Sequence, residues 1–407
     1  MTGALGADAL SHRLDEALAE RTESNRAFFD AEAGPLARVC HRMAERFARG
    51  GRLVAFGRSP AARSDVRHIA VEFVHPVIVG KRALPALGLA AEGGPLDVQV
   101  DLVSEPDDIA IAFGDHRETA AALPVARERG CLTIAFAPLG AECEFEPPAH
   151  DPSVRQELVE TLYHVLWELV HVFFEHRGLL EGREARRVHD PGASSFLYPF
   201  LAEAEHDLDA VLDDVHRSVL AKAEEVGNLR AQTLGEGRDE LLAAAAGLRT
   251  RLEGGGRLLA LGNGGSATDA MDVVADFRSP PDPRWPPRRA LDLTEDPAIL
   301  TAIANDIGAE AIFARQIIAH GRAGDALLAL STSGNSRNVI DALAEGRRRG
   351  LLTIAMVGYD GGRVAAEGLA DHVVITRSEH IPRIQEAQAS AYHVLRELVE
   401  VAGTEEA

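Results

Sequence analysis

The chain has 407 residues, of which 42 are Lys or Arg and 63 are Asp or Glu, so its formal net charge is −21. That charge disfavours nucleic acids and anionic membranes as partners, because both would repel the protein. The three cysteines show no paired or metal-ligand spacing, the amino terminus lacks a signal-peptide pattern, and no apolar run approaches a membrane span. We therefore expect a cytoplasmic protein whose length suits two domains.

The first half of the chain alternates helical patterns with short apolar segments. Amphipathic periodicity predicts three helices: Leu10–Glu32, Pro35–Arg49 and Val154–Arg177. Apolar runs predict three strands: Gly50–Gly57, Ile109–Phe113 and Leu132–Ala137. Short, almost entirely apolar strands that alternate with helices are typical of a parallel sheet covered on both faces.

The segment Gly178–Phe200, which contains Pro191 and Gly192, predicts a linker. We accordingly expect a first domain at residues 1–180, a linker at 181–200 and a second domain at 201–407. The second half repeats the order of elements of the first. Its predicted helices are Ala202–Glu225, Glu236–Leu252 and Arg383–Val401, and its predicted strands are Gly255–Gly262, Leu327–Leu330 and Leu352–Val357.

The two halves also agree in the spacing of their polar residues. Gln156 and His164 lie eight residues apart on the closing helix of the first half, and Gln385 and His393 have the same separation in the second. Agreement in order, element type and spacing indicates an internal duplication. The chain is thus predicted to be an α/β protein with two tandem parallel sheets, each flanked by helices and preceded by N-terminal helices.

Two strand-to-helix turns in the second half are rich in hydroxyl groups. Residues 262–269 read GNGGSATD and residues 330–336 read LSTSGNS, each after an apolar run. Backbone N–H groups and a helix N-terminus at such turns bind anions. An ordinary helix cap would need fewer hydroxyls, so we predict a phosphorylated small molecule, a sugar phosphate. The predicted contact residues are Asn263, Gly264, Ser266, Ser331, Thr332, Ser333 and Ser336.

Four motifs together resemble the phosphoheptose isomerase branch of the sugar isomerase (SIS) domain superfamily. They are Gly262–Ser266, Leu300–Asp306, Ser331–Ser336 and Arg383–Glu386. The resemblance implies two tandem flavodoxin-like SIS domains, with loop serines that hold a sugar phosphate. It also implies a divalent metal, zinc, bound by a His and a Glu one helical turn apart and by a Gln and a His on the closing helix. Asn305 and Asp306 would contact sugar hydroxyls.

The first half matches the metal-binding part of this pattern. Its metal set would be His68, Glu72, Gln156 and His164, with Glu72 as the catalytic base and His164 as the acid. Its phosphate turns depart from the pattern, because Pro60 removes a backbone donor and Asp115 would repel a phosphate.

The second half keeps both phosphate turns but alters the metal set. Its candidate ligands are Asp272, Asp276, Gln385 and His393, an oxygen-rich set that suits manganese or magnesium better than zinc. Two interpretations stay open. One active site combines the metal set of the first half with the phosphate turns of the second, or the second half acts alone.

The resemblance implies a metal-assisted aldose–ketose isomerase that converts sedoheptulose 7-phosphate to glycero-manno-heptose 7-phosphate. Such a reaction moves a proton between C1 and C2 and needs a base, an acid and an electrophile for the developing oxyanion. Another ketose phosphate is an open alternative, and so is a non-catalytic phosphosugar sensor or assembly module. The duplication also predicts a homo-oligomer, a dimer of tandem chains.

Overall fold

The computed structural model describes residues 7–77, 81–90, 93–175 and 207–401, which form two compact units. What we call the N-terminal unit lies within residues 24–149 and 158–224. What we call the C-terminal unit comprises residues 7–23, 150–157 and 225–401. The predicted linker at 181–200 lies outside the described residues.

A five-stranded parallel sheet forms the centre of the N-terminal unit. Its strands are β1 (Leu53–Gly57), β2 (Ala86–Leu89), β3 (Ile109–Phe113), β4 (Leu132–Ala135) and β5 (Cys143–Glu144). The strand order is β2-β1-β3-β4-β5, which is the flavodoxin-like order. β1 and β3 are completely buried, as their apolar sequences predict.

Helices cover this sheet. They are α1 (Ala7–Ala48), α2 (Pro60–Val74), α3 (Leu96–Val103), α4 (Arg117–Glu128) and α5 (Pro152–Glu175). A buried cluster joins α3 and α4 to the strands, with Val100 and Leu123 packed together with Phe56 and Ala112. The first turns of α5, residues 152–157, count with the C-terminal unit.

Helix α1 differs from its prediction. The sequence predicts two helices, Leu10–Glu32 and Pro35–Arg49, whereas the structure has one helix that contains Pro35. A proline inside a helix removes a hydrogen bond and costs about 3 kcal/mol. Buried apolar side chains on both sides of it, including Phe29, Ala33 and Leu36, favour the continuous helix. Core burial therefore outweighs the local signal.

The C-terminal unit has a second five-stranded parallel sheet. Its strands are β6 (Leu258–Leu261), β7 (Ala290–Asp292), β8 (Ala326–Ser331), β9 (Leu352–Gly358) and β10 (His372–Thr376). The order β10-β9-β8-β6-β7 is again flavodoxin-like. From β6 the chain goes to β7 on one side and later to β8 on the other, so the order of the strands reverses between β6 and β8.

Two buried clusters cover the faces of this second sheet. Its helices are α6 (Leu208–Glu236, of which residues 225–236 belong here), α7 (Arg238–Glu253), α8 (Gly265–Arg278), α9 (Pro297–Asp306), α10 (Ile312–His320), α11 (Arg337–Arg348), α12 (Gly362–Ala366) and α13 (Ile381–Val401). One cluster joins α7, α8 and α13 to the strands, and the other joins α10 and α11 to them. The predicted fold class, two tandem α/β domains with parallel sheets, is confirmed.

The boundary between the two helices before the second sheet lies further along the chain than predicted. Helix α6 continues to Glu236 rather than ending at Glu225, and α7 begins at Arg238. The predicted start at Ala202 lies outside the described residues.

Among the described helices, none combines the length and the apolar character that a bilayer crossing requires.

Candidate functional site

In the C-terminal unit, the order of the strands reverses between β6 and β8, and the candidate site lies at the carboxyl ends of these two strands. These strands are neighbours in the sheet, and each leads directly into a turn and a helix, α8 after β6 and α11 after β8. Ligands of flavodoxin-like folds bind where the strand order reverses. Both turns that the sequence predicts to bind phosphate therefore lie at the expected place.

The turn before α8 is shaped by glycines. A Cβ on Gly262 would lie 2.1 Å from the carbonyl oxygen of Ser266, so only glycine fits there. Gly264 has φ of 58° and occupies the N-cap of α8, with no side-chain capping hydrogen bond. The first N–H groups of α8 therefore have no side-chain cap, which is the arrangement that binds an anion.

The serine-rich turn before α11 is held by its own side chains. The Ser331 hydroxyl accepts a hydrogen bond from the Gly334 N–H at 3.2 Å, and the Ser333 hydroxyl accepts one from the Asn335 N–H at 3.2 Å. Ser336 occupies the N-cap of α11 without a side-chain capping bond. This helix N-terminus also lacks a side-chain cap, and the half-buried Thr332 lies beside it.

A pair of amides ties the two turns together. Asn263 and Asn338 exchange two hydrogen bonds, of 3.0 and 2.9 Å, between their side-chain amides. Asn338 was not predicted from the sequence, although its place in the first turn of α11 was a usable signal.

Asn305 and Asp306 lie exposed on α9, where the Asn305 amide donates to the Asp306 carboxylate at 2.8 Å.

We expect Gly334→Ala to weaken phosphate binding at least about fivefold, since a non-glycine residue in left-handed backbone costs about 1–2 kcal/mol. Gly334 has φ of 60°, and a Cβ there would lie 2.2 Å from the carbonyl oxygen of Gly361. Titration with inorganic phosphate would measure the change. Gly235→Ala is the control, because its Cβ would meet nothing within 4 Å. Equal phosphate affinity in both variants would contradict the assignment.

Below the phosphate turns, three ionisable side chains of the C-terminal unit converge. Asp272 and Asp276 lie one turn apart on α8, and His393 lies on α13. His393 Nε2 is 3.3 Å from Asp272 Oδ2 and 3.5 Å from Asp276 Oδ2. All three side chains are buried. The structure thus brings together three of the four residues of the alternative metal set, and it places the fourth, Gln385, in the buried part of α13.

Two further groups hold Asp272. The Gln156 amide donates to Asp272 Oδ1 at 2.7 Å, and the Tyr392 hydroxyl donates to Asp272 Oδ2 at 2.9 Å. The family pattern assigns Gln156 to the ligand set of His68. The structure places Gln156 in the C-terminal unit, beside Asp272.

Glu157 orients His393 from the side opposite the two aspartates. Its carboxylate accepts a hydrogen bond from His393 Nδ1 at 2.9 Å and another from the Ser390 hydroxyl. Arg21 donates to the same carboxylate through Nε at 3.0 Å and Nη2 at 2.8 Å. A carboxylate on Nδ1 fixes the imidazole tautomer and directs Nε2 to the aspartates. Sequence patterns could not reveal this contact, because 236 residues separate Glu157 from His393.

The charges in this cluster shift one another's protonation. Burial alone would lower the pKa of His393, but Asp272, Glu157 and Asp276 raise it well above its ordinary value. Burial and the charge of Asp272 raise the pKa of Asp276 to about 7. Burial would raise the pKa of Glu157, yet Arg21 and His393 hold it well below its ordinary value. Glu157 is therefore a fixed carboxylate, whereas Asp276 gains and loses a proton near neutral pH.

The donor set fits a divalent cation. Two carboxylates and one imidazole present ligand atoms within 4.8 Å of one another. His393 Nε2 is buried and makes no hydrogen bond of normal geometry with the described residues, although two carboxylates face it. An oxygen-rich set of this kind suits manganese or magnesium.

We expect the cation affinity of this cluster to rise as the pH rises through about 7, because a cation must displace protons from His393 and Asp276. Manganese titration followed by electron paramagnetic resonance, about one pH unit below and above that value, would measure the effect. Asp276→Asn should flatten the pH dependence. An affinity in the wild type that does not change with pH would contradict the prediction.

The N-terminal unit contains a different cluster. His68 Nε2 and His164 Nε2 are 3.3 Å apart, and Glu160 completes a group whose ligand atoms lie within 4.8 Å of one another. Glu72 lies beside them, with its Oε1 3.9 Å from His68 Nε2. Glu160 was missed by sequence reasoning, although its position one turn before His164 on α5 was a signal.

The strand-to-helix turns of the N-terminal unit carry their own caps. The Ser59 hydroxyl accepts from the Ala62 N–H at 3.1 Å at the start of α2. His116 Nδ1 accepts from the Glu118 N–H at 3.2 Å at the start of α4. Both helix N-termini thus have a side-chain cap, whereas α8 and α11 of the C-terminal unit have none.

Comparison with known proteins identifies the family of the chain. Residues 223–358 match the family described as SIS domain. A phosphoheptose isomerase from Nitratidesulfovibrio vulgaris is 38% identical over 188 residues, which cover 46% of this chain and 89% of that protein. A phosphoheptose isomerase from Geobacter metallireducens is 45% identical over 162 residues, which cover 39% of this chain and 84% of that protein.

A solved structure matches a larger part of the chain. The C-terminal domain of glucosamine-fructose-6-phosphate aminotransferase from Francisella tularensis covers 95% of this chain and 94% of its own length, with a TM-score of 0.59. At 9% sequence identity this likeness shows the fold alone. The identity to the two isomerases, over most of their length, is what assigns the family. The chain belongs to the phosphoheptose isomerase family of SIS-domain proteins.

Proposed function

We propose that the protein is a metal-assisted aldose–ketose isomerase that converts sedoheptulose 7-phosphate to glycero-manno-heptose 7-phosphate. The enzyme class follows from the family. The observation that carries the proposal is the position of helix α8. This helix begins at the predicted phosphate turn, and about two helical turns later it reaches the cluster of Asp272, Asp276 and His393. One element thus connects an anion site to a cluster suited to proton transfer.

The spacing along α8 supports a sugar phosphate of this size. Asp272 lies six positions after Ser266 on α8, which corresponds to a rise of about 9 Å. That span is comparable to the length of an extended seven-carbon sugar phosphate. A phosphate held by the turn residues Ser331, Ser333 and Ser336 would place C1 and C2 toward the cluster. Binding energy from the phosphate would then position the reacting carbons.

The reaction moves a proton between C1 and C2 through a cis-enediolate. A bound divalent cation would polarise the substrate oxygens. Asp276, with a pKa of about 7, is suited to accept a proton near neutral pH. His393, held by Glu157, is suited to donate a proton to an oxygen. Gln156 and Tyr392 keep Asp272 in place.

The family pattern assigns the base to Glu72, the acid to His164 and the metal to His68, Glu72, Gln156 and His164. That assignment stays a prediction and competes with the cluster on α8. Matched substitutions in the two clusters, argued in the Discussion, distinguish the two assignments. Contacts of Asn305 and Asp306 with sugar hydroxyls are likewise proposed, since both side chains are exposed on α9.

The direct test is turnover of sedoheptulose 7-phosphate by protein loaded with manganese or zinc, run in deuterium oxide. Isomerisation should incorporate solvent deuterium at C1 or C2 of the sugar, which mass spectrometry detects. Fructose 6-phosphate, which has a shorter chain, serves as the comparison substrate. The absence of both turnover and deuterium incorporation, with every cation tested, would overturn the proposal.

A non-catalytic phosphosugar sensor is the alternative, and the family assignment does not favour it. It would bind sedoheptulose 7-phosphate tightly without any deuterium incorporation. We also propose that the protein is cytoplasmic. We further propose that it forms a dimer of tandem chains, and light scattering coupled to size exclusion would test the dimer.

A further inference from the structure

Gln388 on α13 carries a buried amide that the reaction as placed on α8 leaves without a role. Its side chain is 1% exposed. Neither the nitrogen nor the oxygen of the amide has a hydrogen-bond partner among the residues that the structure describes. A buried amide without partners is destabilising, because it has given up its hydrogen bonds to water and gained none. An amide kept at this cost calls for a partner outside the described residues.

Contacts between α8 and α13 give the position of Gln388 along the site. The Tyr392 hydroxyl donates to Asp272, and the Arg396 guanidinium donates to the backbone oxygen of Asp276. Both contacts join residues that are 120 positions apart in the sequence. The two helices therefore run in the same direction, in one register. One turn earlier in this register, Gln388 lies level with position 268 of α8.

That level lies between the phosphate turn and the cluster on α8. Gln388 and Tyr392 are four residues apart, so they share the face of α13 that meets α8. Position 268 comes two residues after Ser266 and four residues before Asp272. Along the helix axis these offsets correspond to about 3 Å and about 6 Å. A seven-carbon sugar phosphate that extends from the turn to the cluster would therefore pass Gln388 with its C4 and C5.

We propose that Gln388 is a specificity-determining residue whose amide binds the hydroxyl groups at C4 and C5 of the sugar phosphate. This inference rests on the proposed function, because it uses the placement of the substrate along α8. The amide offers two N–H donors and one acceptor oxygen, so it can pair with two neighbouring hydroxyls at once. A site whose buried polar groups are paired only by the correct ligand rejects an analogue that lacks those hydroxyls.

The first test uses the wild-type full chain and three ligands. Isothermal titration calorimetry would measure the affinities for sedoheptulose 7-phosphate and for its 4,5-dideoxy analogue, with inorganic phosphate as a probe of the turns alone. We expect the dideoxy analogue to bind at least about tenfold more weakly than the sugar phosphate, since two hydrogen bonds are lost. Equal affinities for the two compounds would overturn the proposal, and this comparison needs no variant.

Gln388→Met assigns the lost affinity to this side chain, because it replaces the amide by an apolar group of similar size. The variant should bind sedoheptulose 7-phosphate about tenfold more weakly than the wild type and should bind the dideoxy analogue and inorganic phosphate unchanged. Gln388→Asn, which keeps an amide on a shorter side chain, should recover part of the loss. A variant that prefers the hydroxylated sugar as strongly as the wild type does would refute the assignment, and so would an equal loss of affinity for inorganic phosphate.

Thermal unfolding without ligand separates this role from a structural one. Gln388→Met should not lower the unfolding temperature, because the amide that it removes has no partner among the described residues. Gln316→Met is the matched control and should lower it. Gln316 is also buried, and its amide donates to the backbone oxygens of Leu293 and Ile312 at 2.8 and 3.1 Å. A lower unfolding temperature in Gln388→Met with unchanged sugar affinity would show that the amide is paired inside the protein, contrary to the proposal.

Failure of the isomerase proposal and failure of this inference give different results. Sugar binding that depends on Gln388, without any turnover, would contradict only the isomerase activity. Turnover and sugar affinity that are unchanged in Gln388→Met would contradict only the role of Gln388. A protein that does not bind sedoheptulose 7-phosphate at all would overturn both.

Discussion

His393→Ala should lower kcat/KM for sedoheptulose 7-phosphate by about 10²–10⁴-fold, the range typical of losing a proton-transfer group. His393 Nε2 faces both Asp272 and Asp276, so the substitution removes the proposed acid and one cation ligand together. Steady-state kinetics and manganese binding should report the loss in parallel. His320→Ala, an exposed histidine at the end of α10, is the control and should behave as the wild type.

The same experiment decides between the two assignments of the reaction. If the chemistry lies on α8, His68→Ala should not cause the loss of turnover seen in His393→Ala. If His68→Ala loses activity as completely as His393→Ala does, the metal set read from the family pattern takes part in catalysis. If only His68→Ala is inactive, the assignment of the chemistry to α8 is wrong.

Local sequence signals predicted the parts of the protein that depend on neighbouring residues. The strand Ile109–Phe113 was predicted with the bounds that the structure shows, because a short run of apolar residues leaves few alternatives inside a covered sheet. The phosphate turns before α8 and α11 were also predicted, since glycines and hydroxyls mark them directly in sequence. Where a distant core competes with a local signal, as at Pro35 in α1, the prediction was wrong.

The supporting residues of the site could not be predicted, because their roles depend on distant partners. Glu157 lies 136 positions after Arg21 and 236 positions before His393, and no periodicity links these residues. The contact of Gln156 with Asp272 could not be predicted for the same reason, since the spacing of Gln156 to His164 fixes a helix face but not the residues which that face contacts. Glu160 could have been predicted from the sequence, because Glu160 and His164 are four residues apart, the same spacing as His68 and Glu72.

Glu157→Ala should destabilise the protein by about 3–5 kcal/mol, because it leaves a buried arginine without its carboxylate. Arg21 and Glu157 are both at least 97% buried, and the guanidinium donates to both carboxylate oxygens. Urea unfolding would measure the loss. Glu367→Ala removes an exposed partner of Arg363 on α12 and should cost no more than about 0.5 kcal/mol. Equal effects in the two variants would contradict the prediction.

The same substitution should also weaken manganese binding about 10–100-fold, as expected when the hydrogen-bond partner of a histidine ligand is lost. The pH dependence of the stability loss in Glu157→Ala distinguishes a role of Glu157 as a charged partner from a role in packing alone. The pKa of Glu157 is held below its unfolded value of 4.5, so its contribution is present above that pH and is lost as the pH falls through the folded pKa. The stability gap between wild type and Glu157→Ala should therefore narrow on acidification. A gap that stays constant would mean that Glu157 fills space without acting as a charged partner of Arg21 and His393.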